Sequence, residues 1–265
     1  MARPGFASMT VAGMLGALLA TGCSGGPPQG DADAATTRYL EVGVFLDNAF
    51  FRAHGLNSEA EAATIMNVVE MYFQDSSELS RNRVVLVLVG IHTFVGTRDP
   101  WEGPTPMDDG VDAEALLLRF SAYASENSPF PFDAAILLTE RAFAGSKLGA
   151  SSWGEVCSDS NAYAVAHVTG SNLPLTAATV ARELGRTLGM CLDPPGVRGA
   201  ECPDLSSGLV CANRIMSSSF DPTAPPDRFS ACSALDFASF VARLHADENC
   251  LGHPVPVSLG TGSVR

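Results

Sequence analysis

The sequence predicts an α/β protein built on a mostly parallel sheet with helices packed against it. Two observations carry that expectation. Strand-type and helix-type patterns alternate as βαβαβ through the first half of the chain, and the strand-type segments are continuously apolar, as strands covered on both faces are. At 265 residues, with 46% hydrophobic and 17% charged side chains, the chain is long enough for one large domain, or at most two.

Arg38 to Leu46 (RYLEVGVFL) has the β-branched and aromatic content of a strand, and Arg83 to Ile91 (RVVLVLVGI) reads as a buried one. Between them Ser58 and Glu61 form a capping-box pattern, and Ile65, Val68, Val69 and Tyr72 recur at helical spacing. Ala113, Leu116, Leu117 and Phe120 mark a second helix, which leads through Pro129 and Pro131 into a third strand, Phe132 to Thr139. Lys147 to Val156 and Ala162 to Val168 are further strand segments. A helix follows from about Thr176 to Gly189 and a last one from Ser233 to Leu244. The order implies a mostly parallel sheet with helices against it. No internal repeat is evident.

The first segment reads as an address. Arg3 precedes an apolar run, Met9 to Ala20, that is too short to span a bilayer. Ala20-Thr21-Gly22-Cys23 resembles a bacterial lipobox, with Ala20 where leucine is usual. The alternatives are lipidation of Cys23 after removal of residues 1–22, or a cleaved signal that leaves a soluble secreted chain. Residues 23–37 have the small, polar, proline-containing composition of a tether. With a net charge of -13 and 16 basic side chains, the chain has little to release counterions from a polyphosphate, so nucleic acid is excluded as a partner. Contact with a membrane is expected only through a lipid on Cys23.

Ala181-Arg182-Glu183-Leu184-Gly185-Arg186-Thr187-Leu188-Gly189-Met190-Cys191-Leu192-Asp193 is the most informative stretch. It resembles the adamalysin or reprolysin branch of the metzincins, the catalytic domain of ADAM and snake-venom metalloproteases, whose signature is H-E-x-x-H-x-x-G-x-x-H followed by a Met-turn. Glu183, Gly189 and Asp193 fall on the family's glutamate, glycine and trailing aspartate. The three zinc histidines fall on Arg182, Arg186 and Leu192. The flanks agree in order. Arg38 to Val42, Val87 to Gly90 and Phe132 to Thr139 resemble its first three strands. Gly149 to Cys157 resembles its substrate-binding edge strand, Ile215-Met216 its Met-turn, and Phe229 to Phe237 with Asn249 to Leu251 its closing segment. The resemblance implies a metzincin (zincin-like) fold over residues 38–251: a twisted, mostly parallel sheet with an antiparallel edge strand and an irregular disulfide-bonded C-terminal subdomain. Residues 252–265 are left as a tail. No disintegrin domain is expected after Cys250 and no prodomain before Arg38.

Zinc in this family needs three neutral imidazoles and a water whose pKa the metal lowers. Arginine has no lone pair to give at accessible pH and leucine has no donor atom. No zinc is therefore expected, and Glu183, the family's general base, has no metal-bound water to activate. A positioned carboxylate alone contributes roughly 10²- to 10⁴-fold. Arg182, Glu183 and Arg186 read either as an ion-paired helix face, with Glu183 and Arg186 a favourable i, i+3 pair, or as two arginines that bind an anion in place of the metal. Drift without a role is the third reading.

The resemblance also implies a calcium site from Glu41, Asp133 and the carbonyl of Cys250, although His253 stands where the family has asparagine, and imidazole is a poor calcium ligand. It implies a Cys157–Cys250 disulfide, worth roughly 4–5 kcal/mol for so long a loop. Cys191, Cys202, Cys211 and Cys232 admit three pairings. His54, His92, His167, His245 and His253 are scattered and read as surface or core residues. The expectation is an exported, catalytically inactive metalloprotease-like domain. It would bind a peptide or protein in the remnant cleft, along Gly149, Ala150 and Ser151 with pockets near Met216 to Phe220. The alternatives are an active zinc metalloendopeptidase and an exported scaffold without a ligand.

Overall fold

The computed structural model describes residues 35–102, 110–158, 162–193, 214–244 and 249–252. Five strands, β1 (Thr36–Leu46), β2 (Asn82–Thr93), β3 (Ala134–Thr139), β4 (Gly149–Ser151) and β5 (Tyr163–His167), form one sheet in the order β2-β1-β3-β5-β4. Strands β1, β2, β3 and β5 run parallel, and β4 pairs antiparallel with β5 at the edge. The helices are α1 (Asn48–His54), α2 (Ser58–Gln74), α3 (Ala113–Asn127), α4 (Leu173–Thr187) and α5 (Ala231–Arg243). Among the described residues no helix is long and apolar enough to cross a membrane.

The pleat of the sheet sorts side chains between two cores. From β1, Leu40, Val42, Val44 and Leu46 enter the core shared with α2, α4 and α5, while Phe45 enters the one under α3. Ile136 and Leu138 of β3 join the first core, and Ala135 and Leu137 the second. Apolar positions on both faces explain why these strands read as continuous hydrophobic runs. Under α3 the packing is aromatic. Phe45 meets Phe120 edge-on with centroids 5.2 Å apart, and Phe120 meets Trp101 at 5.5 Å and Tyr163 at 5.8 Å. The Phe130 ring lies over two strand glycines: a Cβ would stand 2.6 Å from it at Gly43 and 2.4 Å at Gly90.

The structure departs from the sequence reading in three places. Helix α1, capped by the Asp47 side chain accepting from the Phe50 amide at 2.7 Å, and the 3-10 turn Gly55–Asn57 lie where no element was expected. That turn carries the chain directly into α2. Ser58 is therefore already helical and its hydroxyl donates to the Gly55 carbonyl at 2.7 Å, so the expected capping box with Glu61 does not form. The segment 147–156 supplies only the three residues of β4. Beyond Ser152 its backbone turns toward α4: the Gly154 amide donates to the Arg186 carbonyl at 2.9 Å and the Val156 amide to the Thr187 carbonyl at 3.1 Å. At the other end, β1 starts at Thr36, two residues inside the stretch read as a tether.

Cys157 and Cys250 are joined, as the resemblance implied, with S–S 2.05 Å. Cys191 and Cys232 are also disulfide-bonded. Cys202 and Cys211, and with them the pairing of these four, lie outside the described residues, as do Cys23 and residues 1–34. A buried ion cluster joins the end of β1, the segment after β2 and the segment after β3. The Arg141 guanidinium reaches Asp47 at 3.2 Å, Asp99 at 3.0 Å and Glu102 at 2.6 Å.

Gly149 matters because β4 and α4 approach very closely. A Cβ there would stand 2.7 Å from Glu183 Cγ and 2.8 Å from the Val165 carbonyl oxygen. Gly149→Ala is expected to lower stability by about 1–3 kcal/mol, the usual cost of overpacking, read from the denaturant midpoint. An unchanged midpoint would show that the two elements stand further apart. In the ion cluster, burial and the neighbouring Asp47 charge push the Asp99 carboxyl up to about 6 despite Arg141. The folded state thus holds a proton that the unfolded chain releases nearer 3.8, and the stability this confers is present at low pH and lost as the pH rises through about 6. The melting temperature of wild type relative to Asp99→Asn, which mimics the protonated form, is expected to fall between pH 5 and pH 7. A constant difference would refute the assignment.

Candidate functional site

Helix α4 forms the floor of the site. Asn172 caps it by accepting from the Leu175 amide at 3.1 Å, with Pro174 in the first turn where a missing N–H costs nothing. Ala177, Ala178 and Ala181 are buried in the same core as Ala164 and Ala166 of β5, the strand against which the helix packs. Gly185 leaves room beneath the helix for Met216, whose Sδ would stand 2.9 Å from a Cβ at that position. Met216 is fully buried, so it supports the floor from below and does not line the cleft.

On the open side of α4, Glu183 is held at both oxygens. Oε1 accepts from Arg182 Nε at 3.1 Å and Oε2 from the Ser151 hydroxyl at 2.7 Å. The i, i+3 pair with Arg186 expected from the sequence is absent. The tight approach of β4 offers Glu183 a closer partner in Ser151, and its adjacent residue supplies the other. The Arg182 guanidinium lies 4.5 Å from the centroid of the Phe220 ring, and the residue is only 9% exposed. Arg186 is one turn on and half-buried, and its guanidinium has no hydrogen-bond or ion-pair partner among the described residues.

After α4, Gly189 takes a φ of +79°, which a side chain would resist both by backbone strain and by a Cβ 2.9 Å from Phe240. The chain turns there and returns Leu192 to the cleft. Asp193 fixes that return: its amide donates to the Met216 carbonyl at 2.7 Å and its Oδ1 accepts from the Ser230 hydroxyl at 2.8 Å. Arg182, Arg186 and Leu192 therefore converge on one cleft of about 860 Å³, walled on one side by Gly149, Ala150 and Ser151 and on the other by Ser218, Ser219 and Phe220. Neither a guanidinium nor an isobutyl group offers zinc an electron pair, so the three converging side chains do not suit that metal.

Sequence reasoning gave no role in the cleft to three charged or titratable side chains that line it. Lys147 and Glu114 form an ion pair on its rim, and His167 lines its wall beyond β4. The available signal for His167 was its parity with Tyr163 and Val165, which both face α3. His54 instead pairs with Glu140 at 2.8 Å. His92 packs between Phe45 and Phe94, where burial lowers its pKa. His245 and His253 lie outside the described residues. Far from the cleft, the Glu41 amide donates to Asp133 Oδ2 at 2.9 Å and the Asp133 amide donates to the Glu41 carbonyl at 2.9 Å. Burial, with the Glu41 charge beside it, pushes the Asp133 carboxyl up to about 6. The 3-10 turn Cys250–Gly252 packs against β1 nearby.

The chain is 29% identical to human disintegrin and metalloproteinase domain-containing protein 33 over 256 residues, which is 92% of this chain and 29% of that protein. It is 30% identical over 208 residues to human disintegrin and metalloproteinase with thrombospondin motifs 20, covering 74% of this chain and 10% of that protein. It thus spans about a tenth to a third of the length of these relatives. Among solved structures, metalloproteinase-II from Bacteroides fragilis shares the fold, with a TM-score of 0.50, 14% identity and coverage of 77% of this chain and 53% of that one. Residues 38–254 match the Reprolysin (M12B) family zinc metalloprotease profile, and the chain belongs to that family.

Proposed function

We propose that this metalloprotease domain does not hydrolyse peptides and uses its cleft for binding. The observation that carries the proposal is the convergence of Arg182, Arg186 and Leu192 on the cleft at the family's ligand positions. Two cationic side chains and an alkyl group supply no zinc donor, and the cations repel a divalent ion. Glu183 then has no metal-bound water to deprotonate, and both its oxygens are already engaged by Arg182 and Ser151. Two features of the cleft support its use for an extended peptide. Antiparallel β4 is an edge strand whose outer backbone groups are positioned to pair with an added strand, and Ser218 to Phe220 form the facing wall.

Export is part of the same reading, supported by the apolar segment at residues 9–20 and by the disulfides, with Cys23 the point of lipid attachment. A calcium ion held by Glu41, Asp133 and the Cys250 carbonyl fits oxygen-ligand chemistry and would relieve the crowding of two neighbouring carboxylates.

Metal analysis of the purified protein, paired with a peptide-cleavage assay, tests the central claim. The expected outcome is far less than one zinc per chain and no cleavage, with calcium retained and lost in Glu41→Gln. One tightly held zinc per chain with chelator-sensitive cleavage would defeat the proposal. Labelled fatty acid is expected on the protein in bacterial cells and absent from Cys23→Ala; equal labelling of both would remove the anchor.

A further inference from the structure

Among the described residues the charges that line the cleft do not balance locally. Four cationic or titratable side chains line it, Arg182, Arg186, Lys147 and His167, against two acids, Glu114 and Glu183. Both acids are occupied: Glu114 pairs with Lys147, and Glu183 is taken by Arg182 Nε and Ser151. Two sets of donors are left over. Arg186 has its whole guanidinium without a described partner, and the terminal nitrogens of Arg182 have none either. Arg182 is nine-tenths buried and fixed in direction, with Nε tied to Glu183 and the Phe220 ring against its guanidinium. Its terminal nitrogens are not shut away in the interior, so they open on the cleft it lines. Donors that open on the cleft are available to a ligand there, and bonds from a guanidinium to a charged acceptor are stronger than those to a neutral one.

The two arginines are four residues apart on one helix face, which places their Cβ atoms roughly 6 Å from one another. Two guanidinium groups at that spacing can grip one carboxylate from both sides, each with paired N–H donors. We propose that the occupant of this cleft is an extended peptide bearing a carboxylate, which docks on Arg182 and Arg186 where relatives place the metal. The carboxylate belongs to an acidic side chain or to the peptide C-terminus. The inference rests on the reading of the cleft as a peptide groove and names what that groove selects. A chain with a net charge of -13 has no general attraction for acidic peptides, so a preference for them reports on these two residues.

The test uses three fluorescent heptapeptides of alanine, leucine and threonine, titrated into the full chain by anisotropy. One has a central glutamate and an amidated C-terminus, one a central glutamine and a free C-terminal carboxylate, and one a central glutamine and an amidated end. Either carboxylate-bearing probe is expected to bind on the order of ten- to a hundred-fold more tightly than the neutral one. Whichever of the two is preferred identifies the source of the carboxylate. In Arg186→Gln, whose side chain is only partly buried and whose fold is checked by its melting temperature, that preference is expected to shrink to about two-fold or less. Equal binding of all three probes to wild type would overturn the carboxylate assignment and leave the groove reading standing, as would a preference that survives Arg186→Gln. Failure of every probe to bind would bring down the groove reading and this inference together.

Discussion

The close seating of α4 on β4 and β5 is the constraint from which the rest of the site follows. Alanines on the helix and on β5 let the two elements approach, and Gly149 removes the one side-chain atom that would collide with Glu183. With β4 drawn so near, Ser151 donates to the oxygen of the buried Glu183 that Arg182 leaves open. Glu183 in turn aims Arg182, and Phe220 holds the guanidinium from the other side. The placement of these polar groups in the cleft is thus set by the packing of small residues.

The turn that follows α4 is held by contacts that involve no metal. Gly185 makes room for Met216, Gly189 turns the chain with a positive φ, and Asp193 ties the returning segment to Met216 and to Ser230. Ser230 also caps α5, so the end of the motif and the C-terminal helix share one hydrogen-bond network. These contacts stabilise the fold whether or not a metal is bound.

Much of the fold was legible in the sequence because parallel strands covered on both faces must be apolar at consecutive positions, as in Val42 to Leu46 and Ala134 to Leu138. What escaped was governed by local backbone competition. Helix α1 is only seven residues long and is set by a single side-chain cap from Asp47, which leaves no periodic signature. The length of β4 was overestimated because the amides of Gly154 and Val156 find the end of α4 instead of a neighbouring strand, and propensity cannot register that choice.

The sequence by itself determined the α/β class, the residues of the degenerate motif and the chemistry they lack, since the absence of a lone pair belongs to arginine and leucine wherever they sit. The partition of the charges needed tertiary structure. From spacing alone Glu183 belonged with Arg186, but the approach of β4 gave it to Arg182 and Ser151 and left Arg186 open on the cleft. The physical reason is that local spacing lists the partners within reach along one helix, whereas burial decides between them by bringing in groups from distant parts of the chain.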